Sequence, residues 1–301
     1  MSKKYNIAVC LHGIADEKKQ HGKKFVETGV FVGWETILFS LGLQNNIDVF
    51  VHSWSTQNKE KIEKIYKPAS YLFQNQILFD KRYASLKEYN SFNHHRHNKK
   101  LWAPQRIMSH LYSVAKSLEL KKKHEKEKNF TYDYVFVVRF DMHFAGIVNY
   151  DLFQSGNIYY SWPGPIQDSN TNPHKQVSWK YKRMGKKILD WFWLSDSKTI
   201  HLLENSFYEY RENMEKINSN KRINLNRFQG VKNTKTAYEN YYLKSIHSWY
   251  DEYFSQYTSL TKHNLIMLKD NPLSILTKTL TDQEKIFIHK KIQTWKKELI
   301  K

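Results

Sequence analysis

The chain has 301 residues, with 48 Lys and Arg against 29 Asp and Glu and a formal net charge of +19. Hydrophobic residues make up 40% and aromatics 15%, which excludes a disordered chain and leaves material for a sizeable core. The single cysteine, Cys10, excludes an intramolecular disulfide and any Cys-based zinc site.

No stretch approaches the roughly 20 apolar residues of a membrane span. The apolar run at residues 7–11 is too short for the core of a secretory signal. The expected location is therefore the cytoplasm. The positive charge attracts polyanions: nucleic acid, anionic lipid or phosphorylated glycan. Its lysines are scattered and form no arginine-rich stripe, so general solvation and AT-rich coding account for it equally well.

Residues 7–11 form a continuous apolar run closed by His12-Gly13, the pattern of a buried parallel strand with a tight turn at its carboxyl end. Residues 16–30 are polar and predict a loop. Residues 34–43 carry Trp34, Ile37, Leu38 and Leu41 at helical spacing before Gly42. Residues 48–54 predict a second buried strand, residues 57–65 a charged helix broken by Lys67-Pro68, and residues 69–74 a short third strand. These alternations describe βαβ units and an α/β fold.

Residues 80–100 are polar and hold His94, His95 and His97, which lack nearby carboxylates. Residues 101–128 predict a long helix, with Ile107, Leu111, Val114, Ala115 and Leu118 on its apolar stripe and Pro104 tolerated in the first turn. Residues 134–138 are the clearest strand in the chain and run into Arg139-Phe140-Asp141-Met142-His143. Residues 158–162 predict another strand and residues 189–195 a short aromatic one. Residues 198–216 and 237–247 read as helices, and the last twenty residues form an amphipathic helix containing Trp295.

In open α/β sheets ligands bind beyond the carboxyl ends of the strands. The residues following the three best strands are therefore the candidates: His12 and Gly13, then His52, Ser53 and Trp54, then Arg139, Asp141 and His143. On extended chain Asp141 and His143 point to one side, where carboxylate and imidazole can share a divalent ion such as Mn²⁺ or Mg²⁺. Such an ion would neutralise a diphosphate leaving group as a Lewis acid. Arg139 has the same parity and can pair with Asp141 instead, or with a phosphate. Asp190, before an aromatic run, is a candidate general base. Glu239, among Tyr238, Tyr241 and Tyr242 on a predicted helix, is the second catalytic candidate; a helix or turn cap competes for Asp190 and a solvated helix face for Glu239. The chain has no phosphate loop of the Walker type, no dinucleotide glycine fingerprint and no nucleophile elbow.

In this order the pieces resemble a family of bacterial sugar transferases from capsule and lipooligosaccharide gene clusters. The likeness rests on the strand ending His12-Gly13, on Asp48-Val49-Phe50-Val51-His52-Ser53-Trp54, on Lys67-Pro68 and on Tyr132-Asp133-Tyr134-Val135. It continues through Arg139-Phe140-Asp141, Asp190 and Tyr238-Glu239, and covers about residues 5–250. The resemblance implies a GT-A fold, Rossmann-like, with a mostly parallel central sheet flanked by helices over residues 1–250; residues 251–301, beyond it, are expected to form a helical extension. It implies a nucleotide-sugar donor (UDP first, GDP or CDP as alternatives) and a lipid-linked or polymeric glycan acceptor at the bacterial surface. Asp141 would match the first carboxylate of the family's Asp-x-Asp metal motif; His143 stands where the second usually is, so metal-independent transfer stays open. Asp190 would match the carboxylate that contacts the acceptor hydroxyl.

Two other functions stand beside this one. One keeps the fold and changes the transferred group to a phosphoryl-type decoration from a cytidine nucleotide. A basic nucleic-acid-binding protein fits the charge, but few arginines and no recognised motif argue against it, so no nucleic-acid partner is expected. The charge and the C-terminal helix suit peripheral contact with anionic lipid at the inner face of the cytoplasmic membrane instead.

Overall fold

The computed structural model describes residues 3–16, 18–21, 24–27, 30–77, 79, 104–142, 147–148, 150–161, 192–219, 250, 253–254, 265–268 and 277–278. They form an α/β fold around a seven-stranded sheet.

The first strand, β1 (Asn6–Gly13), runs into a short antiparallel hairpin, β2 (Lys18–His21) and β3 (Lys24–Glu27). Helix α1 (Val30–Leu41) follows and ends at Gly42, whose φ of +82 suits a residue without a side chain. Then come β4 (Asn46–Ser53), a 3-10 turn (Thr56–Asn58) and α2 (Lys59–Tyr66). Lys67 stops α2 in the left-handed region, its N–H bonding Glu63 O at 3.0 Å, and Pro68 prevents continuation. The next elements are β5 (Ser70–Phe73), α3 (Pro104–Lys128), β6 (Tyr134–Arg139), β7 (Ile147–Val148) and β8 (Ile158–Ser161). The described chain finishes with β9 (Phe192–Ser195), α4 (Ser197–Ser219), β10 (Leu265–Leu268) and β11 (Thr277–Lys278), the last paired with β7.

The sheet order is β10-β8-β9-β6-β1-β4-β5. Every neighbouring pair is parallel except those made by β9, which runs against both β6 and β8. Two features of the wiring matter for the site. After β1 the chain moves outward through β4 to β5, then returns to place β6 on the opposite side of β1. The helices change face at the same point. Trp34 and Leu41 of α1 and Ile62 and Tyr66 of α2 pack with Ile7, Val9 and Leu11. Leu111, Val114 and Leu118 of α3 and Leu203 and Phe207 of α4 pack with Ala8, Cys10 and Trp193 on the other face. The alternation along β1 is that of a strand buried on both faces.

Burial pushes the Cys10 thiol up to about 12, so it stays protonated and unreactive. Behind it α3 and α4 are joined by a buried polar network. Lys121 is fully buried; its Nζ donates to Glu125 at 2.9 Å, to His201 Nε2 at 3.2 Å and to the Ser197 hydroxyl. His201 Nδ1 in turn lies 2.7 Å from a Glu204 carboxylate oxygen. Asp196 caps α4 by accepting from Thr199 N–H at 2.8 Å, and ties in the turn before β8 through Gly156 N–H at 2.6 Å.

Most predicted strands and helices are present, with ends shifted by a few residues. The stretch 16–30 differs: it holds the β2–β3 hairpin and the start of α1. Within residues 251–301, expected to be a helical extension, Tyr253 and Phe254 lie in the core beside α3 and α4, and β10 is an edge strand of the main sheet. The predicted helix at 237–247, the C-terminal amphipathic helix and the cluster His94, His95 and His97 lie outside the described residues. No described helix is long and apolar enough to cross a membrane.

Candidate functional site

The parallel strands β4, β1 and β6 end side by side, with His12 opposite His52 on one side and Arg139 on the other, and Gly13 opposite Ser53. Period-two geometry puts His52, His12 and Arg139 on the face covered by α3. Phe192 pairs with Val138, so antiparallel β9 begins at this same edge.

Ser113 of helix α3 ties the edge together. Its Oγ accepts the Gly13 N–H at 2.7 Å and lies 2.6 Å from His52 Nδ1. The hydroxyl has one proton, within reach of His52 Nδ1 and of His52 O at 3.5 Å, and the choice between them sets the His52 tautomer. Gly13 adopts φ +103, which a side chain would strain, and its carbonyl accepts the Trp54 N–H at 3.1 Å.

The loop after β1 is tied to the loop after β4 by Asp16. One of its oxygens accepts from Ser55 Oγ at 2.6 Å and Gln57 Nε2 at 2.8 Å, while Ser55 Oγ also accepts the Ala15 N–H at 3.0 Å. Asn58 adds a bond to Ala15 O at 2.9 Å. Ile14, at the tip of this connection, is 57% exposed. Asp16, Ser55, Asn58 and Ser113 were not singled out from the sequence, because short polar residues beyond strands and on helices carry no signature of whom they bond.

The sequence candidates divide by depth. His12, His52 and Ser53 are buried, and Trp54 is nearly so, stacked on Tyr112 at 5.4 Å and edge-on to His52 at 4.6 Å. Gly13 is half-buried. Arg139 and Asp141 are the partly open pair, joined by two parallel hydrogen bonds: Nε to Oδ1 at 2.8 Å and Nη2 to Oδ2 at 2.5 Å. The structural ion pair, one of the two readings of these residues, is therefore formed. His143, Asp190 and Glu239 lie outside the described residues. Among the described residues, no group of three or more His, Cys, Asp or Glu is placed to hold a metal ion.

Burial drives the His12 imidazole well below its ordinary value, and the neighbouring His110, Arg139 and His52 push the same way. Burial, with a smaller contribution from Lys116, pushes His52 down to about 3. Both rings are neutral at physiological pH. Among the described residues, the edge offers one permanent cation, Arg139, beside the neutral rings of His12 and His52.

No protein-family model matches the chain, and no curated protein matches it.

Proposed function

We propose that the chain is a glycosyltransferase of the GT-A type, which moves a sugar from a nucleotide-sugar donor to a growing bacterial surface glycan, capsular polysaccharide or lipooligosaccharide. The observation that carries this reading is the reversal of strand order at β1. β4 and β6 flank β1 on opposite sides, and the helices change face there. In open α/β sheets such a switch point leaves a crevice beyond the strand ends, and nucleotides bind in crevices of this kind. The mostly parallel sheet flanked by helices is what a GT-A fold requires, and the likeness in Arg139-Phe140-Asp141 and the strand ending His52-Ser53-Trp54 supplies the reaction class.

In this reading the pair Arg139–Asp141 receives the donor diphosphate. Its guanidinium can turn from the carboxylate to a phosphate with the same bidentate geometry. Asp141, once released, would be a ligand for Mn²⁺ or Mg²⁺, and such an ion would supply charge stabilisation to the leaving diphosphate. Gly13 lets the nucleotide approach the backbone closely at the β1 turn. Asp190 is assigned the acceptor hydroxyl, as the base of an inverting transfer.

The direct test is donor turnover. The protein is incubated with UDP-, GDP- and CDP-sugars, with and without Mn²⁺, and release of the nucleoside diphosphate is measured. Release from one donor class, lost in Asp141→Asn, supports the assignment. Absence of release from all three, with acceptor glycan extracts supplied, contradicts it.

A further inference from the structure

The turn that ends β1 has no side chain of its own to hold it. Gly13 sits at φ +103, and a Cβ built on it would meet no described atom within 4 Å. The glycine is therefore required by its backbone conformation and not by crowding, and the space beside its Cα is clear among the described residues. Glycine also has the widest choice of backbone conformations. The shape of this turn has to be fixed from outside, through its peptide groups.

Two contacts fix it. The Gly13 carbonyl accepts the Trp54 N–H at 3.1 Å, which ties the turn to the end of β4. The Gly13 N–H donates to Ser113 Oγ at 2.7 Å, which ties it to α3. The same hydroxyl lies 2.6 Å from the ring of His52, which is edge-on to Trp54 at 4.6 Å. Tyr112, beside Ser113 on α3, stacks on Trp54 at 5.4 Å. Both restraints on Gly13 thus lead back to α3. The helix extends its hold along the rim: beyond β5, Tyr112 OH accepts from Gln74 Nε2 at 3.3 Å and Ser109 Oγ from Gln76 Nε2 at 2.9 Å. Ser113 itself is fully buried, so it acts on anything in the crevice through Gly13 and His52 and not by touching it.

We propose that Ser113 is a positioning residue of the crevice: from α3 it sets the conformation of the Gly13 turn, and so the surface that a ligand meets beside β1. That this ligand is the donor nucleotide rests on the transferase reading; the hold of Ser113 on the turn does not. Loss of the hydroxyl leaves the peptide between His12 and Gly13 free to rotate. A ligand then has to select the competent turn from several, and its apparent affinity falls by the fraction that remains competent.

The test compares wild type with Ser113→Ala and Ser113→Cys at a temperature where each is folded. The cysteine keeps a side chain of similar shape with a weaker acceptor, and it carries the comparison should the alanine variant not fold. The first reading is Kd for UDP, GDP and CDP with Mn²⁺. The nucleotide that binds wild type is expected to bind Ser113→Ala about 10-fold and Ser113→Cys about 3-fold more weakly. In a Gly13→Ala background, where the turn is already altered, Ser113→Ala should add less than about 2-fold. The second reading is amide hydrogen exchange, which needs no ligand. Trp54 N–H bonds Gly13 O at the carboxyl end of the β1–β4 pair, and Asn46 N–H bonds Tyr5 O at 2.9 Å at its amino end. Both variants should speed exchange at Trp54 relative to Asn46, by about 10-fold in Ser113→Ala. Unchanged Kd, full additivity with Gly13→Ala, or equal acceleration of Trp54 and Asn46 overturns the proposal and leaves Ser113 a stabilising residue alone. Where no nucleotide binds wild type, the transferase reading falls, and the exchange ratio decides whether Ser113 sets the turn.

Discussion

Arg139 grips Asp141 through both carboxylate oxygens, at 2.8 and 2.5 Å, on a stretch where the two are only two residues apart. A metal ion at Asp141 has to compete with this guanidinium. Arg139→Ala is therefore expected to tighten Mn²⁺ binding at the carboxylate, read by titration with electron paramagnetic resonance. The pair is about 30% exposed on both sides (28% and 31%), so its loss changes stability by less than about 1 kcal/mol. Mn²⁺ bound as well by Asp141→Asn as by wild type would remove Asp141 from the ligand set.

Ser113 joins α3 to the ends of both β1 and β4. Ser113→Ala strands the Gly13 N–H and returns His52 Nδ1 to an unpaired state. We expect a loss of about 2–4 kcal/mol in urea unfolding, with little change in the denaturant slope. A variant as stable as wild type would show that the Ser113 bonds are not made.

Acid should weaken the fold before any carboxylate titrates. Unfolded, His12 and His52 titrate near their ordinary value of 6.5; folded, His12 lies well below it and His52 at about 3. Between these limits the unfolded chain takes up protons that the folded chain refuses. The stabilisation is fully present above about pH 6.5 and is lost as the pH falls. Each ring costs about 2 kcal/mol by about pH 5. Lower still, Glu125 and Asp196 contribute. Burial raises both, but hydrogen bonds outweigh it and hold them below the usual carboxylate range. Urea midpoints at about pH 7.5 and 5.5 check this; equal midpoints would contradict it.

The buried ammonium of Lys121 should be costly to remove. In Lys121→Ala, Glu125 loses its charge partner and His201 its donor. The expected loss is about 3–5 kcal/mol, measured by chemical unfolding. Replacing Lys121 and Glu125 together by Met and Leu should recover much of it, since the desolvation cost of both charges disappears.

How much of this was legible follows from the signals involved. Residues 7–11, 48–54 and 134–138 are apolar runs bounded by polar residues, and each is a strand of the sheet centre. The direction of β9 was not legible, since Phe192-Trp193-Leu194 has no polarity to read. β2 and β3 are built from Lys18-Lys19-Gln20-His21 and Lys24-Phe25-Val26-Glu27, with too little apolar alternation to distinguish them from a loop. At the site, the i, i+2 spacing of Arg139 and Asp141 anticipated their contact. The depth of His12 and His52 was not anticipated, because a histidine at a strand end reads the same whether it faces solvent or lies under a helix. Ser113 is 100 residues from Gly13, and no local pattern connects them.

The most direct measurement of the central claim is a thermal-shift panel of UDP, GDP and CDP, each with and without Mn²⁺ or Mg²⁺. A ligand that binds only the folded chain raises its melting temperature. The transferase reading predicts a shift with one nucleotide, larger with Mn²⁺ and lost in Asp141→Ala. No shift with any nucleotide, in a protein that melts cooperatively, would contradict a nucleotide site at the β1–β6 switch point.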